Sequence, residues 1–366
     1  MTDIVEALVA AGLTGRGGAA FSTATKVKAA REHRATLIVN ACDGEIGAAK
    51  DAWIVQHHLH ELVEGAALVA PGRRPHVRYA AHRGSRTATM LREAGLHVLE
   101  APDRYVSSEE TALISLAHGG LGRPMTKRAP FLFGGRDSQG HRIAPTLVLN
   151  AETLWRVSQI HHNGPDWFRS FGTTADPGPR LVAIGGHVVR PGVYESAAGV
   201  TIGDLVDRAG GLRAEVNHVG VGGLGGVVLT AAQARTTIWD TAGMKAHGGS
   251  MGPGLITVWD PAECPLVTAG RLLDYAAGES AGQCGPCMFG LPALAADWSR
   301  LADSPRPDGA QALLHRLALL GRRGACAHPD GVARFATSAL TTLEPEFAAH
   351  AVHTCSAHRS RHAQYA

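Results

Sequence analysis

The first 150 residues alternate short β-branched runs with segments of helical period, and this limits the fold more than any other feature. Thr36-Leu37-Ile38-Val39-Asn40 is too short for a buried helix and carries Ile and Val, so it predicts a strand. The stretch 51–69 places Val55, Leu59, Leu62, Ala66 and Val69 on one helical stripe. Further strands are expected at 76–81, 97–102 and 145–150, and helices at 3–11 (stopped by Gly12) and 109–118. Strands separated by helices pair in parallel, which predicts an α/β, doubly wound sheet. Such a sheet presents ligand-binding groups at the carboxyl ends of its strands, here at Asn40, Asp43 and Glu45.

The texture changes at Asp176-Pro177-Gly178-Pro179, a domain boundary. A hairpin over 181–194, a capped helix at 201–206 and strands at 227–229 and 255–259 form a small α+β module. From residue 264 the period is helical, at 266–280, 310–320 and 332–343, with a loop at 304–309. The expected division is therefore 1–176, 177–262, 263–348 and a polar, His-rich mobile tail, 349–366.

Composition excludes several classes. Hydrophobic residues make up 45% of the 366 and charged residues 18%, enough for a sizeable core. A formal net charge of +3 argues against nucleic acid as a partner. No apolar run approaches the ~18 residues of a membrane span. The start, Met1 to Glu6, is acidic, unlike a secretory signal. Six cysteines are too few for a disulfide scaffold of this length, and a reducing cytoplasm is the expected compartment.

Four constellations could carry chemistry. Gly15-Arg16-Gly17-Gly18 precedes a helix, so its backbone could cradle an anion, with Arg16 and Lys26 adding charge; a plain glycine turn is the alternative. Asn40, Asp43 and Glu45 could accept hydrogen bonds from a flavin or a ribose, or form a solvated loop. Ser107-Ser108-Glu109-Glu110 reads as a capping box with Ser107 or Ser108 as N-cap. Cys284, Cys287 and Cys326 could hold an iron–sulfur cluster, could bind zinc with His328, or could be buried thiols without metal.

Taken in order, these pieces resemble the NADH-oxidising flavoprotein subunit of respiratory complex I and its relatives in soluble hydrogenases and formate dehydrogenases. Gly15 to Lys26 is similar to the family's glycine-rich loop, and Asn40 to Asp51 to its acidic segment. Tyr105 to Ile114 resembles YxxGEETALI, Pro145 to Leu154 resembles PTVVNNVETL, Gly186 to Glu195 resembles GxVxxPGxYE, and Glu279 to Cys287 resembles ESCGxCxPC. The resemblance implies a Rossmann-like FMN/NADH domain, a ubiquitin-like (SLBB-type) α+β domain and a C-terminal helical bundle. It implies hydride transfer from NADH to FMN, then single electrons through an iron–sulfur cluster to a ferredoxin or ferredoxin-like partner. The chain would then be cytoplasmic, or peripheral to a membrane complex through that partner. By position, Gly15, Arg16, Gly17, Gly18, Lys26, Asn40, Asp43, Glu109 and Asn150 would bind FMN, with Tyr105 a further cofactor-binding residue. Glu45 and Glu110 would act at the NADH site, with Phe21 and Phe131 flanking the adenine.

The departures define the alternatives. The family's first cluster cysteine falls on Ala281, leaving Cys284, Cys287 and Cys326. A [4Fe–4S] cluster would need a substitute ligand, such as a carboxylate, Cys355 or solvent; a [3Fe–4S] cluster would not; the site could also hold none. An acidic family position is Cys42, a glycine is Ser108, and a further aromatic is Ala29. The chain starts close to the glycine loop, so the family's preceding segment, and the docking surfaces it supplies, are not expected from these residues. A non-catalytic paralogue serving as a binding or assembly subunit is the alternative to a working oxidoreductase.

Overall fold

The computed structural model describes residues 3–70, 72, 76–306 and 309–357. They divide into two compact units, Met1–Val182 with Glu195–Gly199, and Ala183–Tyr194 with Val200–Ala366.

The first unit runs α1 (Ile4–Ala11), α2 (Thr23–Glu32), β1 (Thr36–Asn40), α3 (Lys50–His57), α4 (Leu59–Val69), β2 (Val77–His82), α5 (Arg86–Glu93), β3 (Val98–Ala101), α6 (Glu110–Ala117), the short β4 (Gly135–Arg136) and β5 (Arg142–Ile143), β6 (Thr146–Asn150) and α7 (Ala151–Arg169). The four main strands form a parallel sheet ordered β3-β2-β1-β6. Alternate residues of β1 point to opposite faces, yet Leu37, Ile38 and Val39 are all buried, so both faces are covered. One face packs Ile38, Ala80 and Val148 against Leu113, Phe131 and Ile143. The order reverses between β1 and β6, which are also register partners at Asn40 and Asn150. A crevice outside those two carboxyl ends is where an open α/β sheet takes its ligand.

The helix expected over 51–69 is two helices. His58 breaks it (φ −137°, ψ 32°), and its ring stacks on Trp155 at 4.4 Å. The cap of α6 is Glu109, correcting the expected Ser107 or Ser108. Those two hydroxyls are spent locally, Ser107 Oγ on the Pro102 and Arg104 carbonyls and Ser108 Oγ on that of Tyr105.

The second unit holds β7 (Pro179–Gly186, whose first residues belong to the first unit), β8 (Gly192–Ala197, likewise shared), α8 (Ile202–Arg208), β9 (His218–Val221), β10 (Val227–Thr230), α9 (Ala231–Thr236), α10 (Thr241–Ala246) and β11 (Leu255–Val258). Its mixed sheet is ordered β10-β9-β11-β7-β8. Thr201 and Asp204 close a reciprocal capping box on α8. Helices α11 (Pro265–Gly278), α12 (Leu291–Asp303), α13 (Gly309–Ala318), α14 (His328–Thr342) and α15 (Glu344–Ala351) follow. Trp298 of α12 is fully buried and donates to the Leu266 carbonyl at 2.9 Å. The segment expected as a mobile tail begins in the last turn of α15 and keeps Cys355 and Ala357 buried; residues 358–366, and 307–308 of the expected loop, lie outside the described residues. No helix of the described residues is long and apolar enough to cross a membrane.

Helices α4 and α7 approach closely at Gly65, where an added Cβ would lie 1.9 Å from the Leu154 carbonyl oxygen. Gly65→Ala is therefore expected to lower stability by about 2–3 kcal/mol, measured by urea denaturation, despite alanine's better helix propensity.

Candidate functional site

The glycine loop is a closed hairpin-like excursion. Its ends are tied by the Thr14–Ser22 bridge and by the Gly15 amide donating to the Phe21 carbonyl at 2.9 Å. Ser22 then caps α2 by accepting from the Thr25 amide. Gly18 has φ +104°, which favours glycine, and a Cβ on Gly17 would press against Asn150 Cβ at 3.3 Å. The amides of Gly17 and Gly18 have no acceptor among the described residues, so the loop top offers free donors.

The sequence predicts charge from Arg16 and Lys26 here, and the structure places them differently. Arg16 is 2% exposed: its amide donates to Thr153 Oγ1 at 2.9 Å, and its guanidinium to the Pro177 carbonyl at 2.9 Å. Burial, then the neighbouring Arg180, depress its pKa well below the usual value. Arg16 thus anchors the loop through its side chain. Lys26 lies 3.5 Å from Glu110 Oε1, and Lys127 meets the other Glu110 oxygen. Burial alone would raise the Glu110 carboxyl, but the two lysines hold it below its ordinary range, so it is ionised at neutral pH.

Beneath the loop lies a buried ionic and polar network that sequence reading missed. Lys50 Nζ donates to the Arg16 carbonyl at 2.5 Å and to Glu152 Oε2 at 2.8 Å, with both side chains almost fully buried. The other Glu152 oxygen accepts the Leu181 amide at 2.7 Å. The only signal in the sequence was Lys50-Asp51 closing the acidic segment, which periodicity would assign to a solvated helix start.

The acidic strand end is turned inward. Asp43, at φ +49°, accepts the Asp51 amide at 2.9 Å and the Ala52 amide at 2.7 Å, satisfying the start of α3. Asp51 in turn accepts Asn150 Nδ2 at 2.9 and 3.0 Å. Burial, then the Asp43 charge, push Asp51 up to about 8. Asn40 Nδ2 donates to the Ser108 carbonyl at 2.9 Å, and Asn150 caps α7 through the Glu152 amide. Ser108 fills the space that a Cβ on Gly44 would need, its Oγ 1.9 Å from that position. Tyr105 OH donates to Glu45 Oε2 at 2.9 Å. Glu109 is spent on capping α6, accepting from Thr111 and Ala112.

The two expected adenine-clamp aromatics differ in exposure. Phe21 is 53% exposed, whereas Phe131 is 6% exposed within the core cluster. Phe21 alone of the pair presents a ring face to a ligand.

In the second unit, Cys284 and Cys287 flank a Gly-Pro turn that runs into a π-helical turn, Pro286–Gly290. Burial first, then hydrogen bonding and charge from Cys284 and charge from Cys326, push Cys287 up to about 12. Cys284 and Cys326 are thus both near enough to Cys287 to bias its charge. Ala281 offers no ligand atom. His328, the candidate zinc partner, is 8% exposed with Nε2 at 2.8 Å from the Ala276 carbonyl. Cys355, a candidate fourth ligand, lies instead with Cys264, Glu346 and His350.

Residues 8–159 match the Nuo51 FMN-binding domain, and residues 268–350 match the NADH-ubiquinone oxidoreductase-F iron–sulfur binding region. The F subunit of NADH-quinone oxidoreductase from Mycobacterium tuberculosis H37Rv is 30% identical over 95% of this chain and 84% of its own length. The second of two such F subunits in Rhizobium meliloti is 30% identical over 95% of this chain and 88% of its own. Among solved structures, the H2-reduced NAD+-reducing [NiFe]-hydrogenase superposes with a TM-score of 0.80 at 27% identity, over 94% of this chain and 62% of that one. Fold and matched regions define an oxidoreductase module of the NADH-oxidising flavin and iron–sulfur class. The chain belongs to the family of NADH-quinone oxidoreductase F subunits.

Two expectations follow for stability. Lys50→Met removes the cation hydrogen-bonded to Glu152, leaving Arg156 at 3.8 Å, and should cost about 3 kcal/mol in urea denaturation, while Lys50→Met with Glu152→Gln recovers part of the loss. Asp51 has its folded-state pKa raised to about 8 from 3.8, so the folded state binds the extra proton. Its contribution is present below pH 4 and is lost as pH rises toward 8. Asp51→Asn should therefore flatten the decline in stability of the flavin-free protein between pH 4 and 8.

Proposed function

We propose that the crevice at the carboxyl ends of β1 and β6 binds FMN with NADH beside it, and that the three-cysteine turn holds an iron–sulfur cluster. The observation that carries this reading is the meeting of Asn40 and Asn150 at the strand-order reversal, directly beneath a glycine loop with free amides. FMN, when bound, accepts a hydride and releases electrons one at a time, which links a dinucleotide to a one-electron carrier.

The chain's own residues bind and orient. The amides of Gly17 and Gly18 suit the flavin phosphate, with Gly15 closing the loop and Lys26 beside Glu110. Asn40 and Asn150 position the strand ends, and Asp43 and Glu109 fix the helix starts beside them. Glu110, kept ionised by Lys26 and Lys127, and Glu45, held by Tyr105, suit the hydroxyl and amide donors of the dinucleotide. Phe21 supplies an exposed face for the adenine, and Phe131 supports the site from the core. We assign residues 177–262 to a ubiquitin-like SLBB-type domain and 263–348 to a cluster-bearing bundle, following the FMN/NADH domain 1–176. The acceptor is a redox protein, a ferredoxin or ferredoxin-like subunit, as suits a family named for subunits of larger complexes.

One observation favours a second reading. Ala281 removes a ligand, so a paralogue that binds its partner without passing electrons would keep the same fold.

Purified protein reconstituted with FMN should show flavin bands that bleach on adding NADH. Failure to take up FMN overturns the flavin reading, and uptake without bleaching supports the paralogue. Phe21→Ala should raise the KM for NADH by up to about tenfold with FMN content unchanged. Ala281→Cys should raise iron and acid-labile sulfide per chain if the wild-type cluster lacks one corner.

A further inference from the structure

A second group of metal-ligating side chains lies in the second unit, apart from Cys284, Cys287 and Cys326. Cys264 Sγ, a Glu346 carboxylate oxygen, one ring nitrogen of His350 and Cys355 Sγ all lie within 4.8 Å of one another. Cys264 Sγ is 3.4 Å from His350 Nε2, and that nitrogen is 3.5 Å from Glu346 Oε1. Around a tetrahedral zinc with bonds of about 2.3 Å to sulfur and about 2.0 Å to nitrogen, neighbouring S and N donors sit about 3.5 Å apart. The Cys264–His350 spacing matches that value, and all four donors lie close enough to share one ion.

The four donors come from three pieces of chain. Cys264 is the N-cap of the fourteen-residue α11. Glu346 and His350 stand at i and i+4 on α15, one turn apart on one face. Cys355 follows on the chain after that helix. The supporting contacts are also in place. His350 Nδ1 lies 2.9 Å from the Ala302 carbonyl, which fixes the tautomer that leaves Nε2 as a lone-pair donor. Glu346 Oε1 accepts the Ser356 amide at 2.9 Å, orienting the carboxylate. Glu346 and Cys355 are 7% and 9% exposed, so the group is largely closed to solvent.

We propose that Cys264, Glu346, His350 and Cys355 form a mononuclear structural zinc site. Two thiolates, one imidazole and one carboxylate match zinc's preference for mixed sulfur, nitrogen and oxygen donors in tetrahedral array. With all four positions filled by protein, the site has no open position for substrate, and its role is to fasten the segment after α15 to the start of α11. Cys264 and Cys355 both lie outside the matched iron–sulfur region, residues 268–350. The assignment is independent of the flavin reading.

The test is metal analysis of the full chain purified under reducing conditions. Wild type should carry zinc stoichiometrically, and Cys264→Ser and Cys355→Ser should each lose it while iron and sulfide stay unchanged. Cys326→Ser should show the converse. Zinc unchanged in Cys264→Ser, or lost in Cys326→Ser, overturns the proposal. Should the serine variants fail to fold, the chelator-treated wild type is titrated with Co2+. Intense visible bands of tetrahedral cobalt with thiolate charge transfer support the site, and weak octahedral bands overturn it.

Discussion

The Lys50–Glu152 ion pair is the contact on which the first unit's site depends. It is buried at both ends, and such a pair stabilises little beyond what its desolvation costs. Its value is positional. Lys50 opens α3 and reaches the Arg16 carbonyl, while Glu152 opens α7 and accepts the Leu181 amide. One pair thus fixes the glycine loop, two helix starts and the beginning of β7 relative to one another. Removing any member leaves a buried group unsatisfied, so the four move together or not at all.

A surplus of buried cations surrounds this pair. Arg16, Lys50, Arg156 and Arg180 are all at most 6% exposed, against Glu152 and Asp176 as the buried carboxylates facing them. Arg156 lies over the Trp155 ring at 4.0 Å and reaches the half-exposed Glu195. Among the described residues, Nε of Arg16, Arg156 and Arg180 has no hydrogen-bond partner. Charge carried inside at such cost raises the potential at the loop above. The proposed phosphate then completes the balance, which accounts for cations that packing alone would replace with apolar side chains.

The legibility of the molecule follows its physics. β1 and β6 were readable because burial on both faces forces continuous apolar runs, and α14 because one buried stripe forces a helical period. The break at His58 was hidden because the apolar stripe continues in phase across it. Glu109 as cap was hidden because two serines precede it and only the intervening 3₁₀ turn decides between them. Phe21 and Phe131 look alike in sequence, and only the core cluster separates an exposed ring from a structural one. Lys50, Arg16 and Arg156 carry charges that pattern reading places in water. Only tertiary pairing puts them inside.

The same reasoning explains why the two cysteine groups are so unequally visible. Cys284 and Cys287 share a tight turn, so their convergence is written in adjacent residues. Cys264 and Cys355 stand far apart in the chain and meet only because α11 and α15 belong to one packed set of helices. The proposed cluster set keeps two of its thiols on that turn, with Cys326 on a separate segment. The Cys264 group draws its four donors from three segments. Each of its ligands closes a different length of chain, so the loss of one frees a segment as well as a bond. The proposed zinc group is therefore expected to couple metal binding to folding.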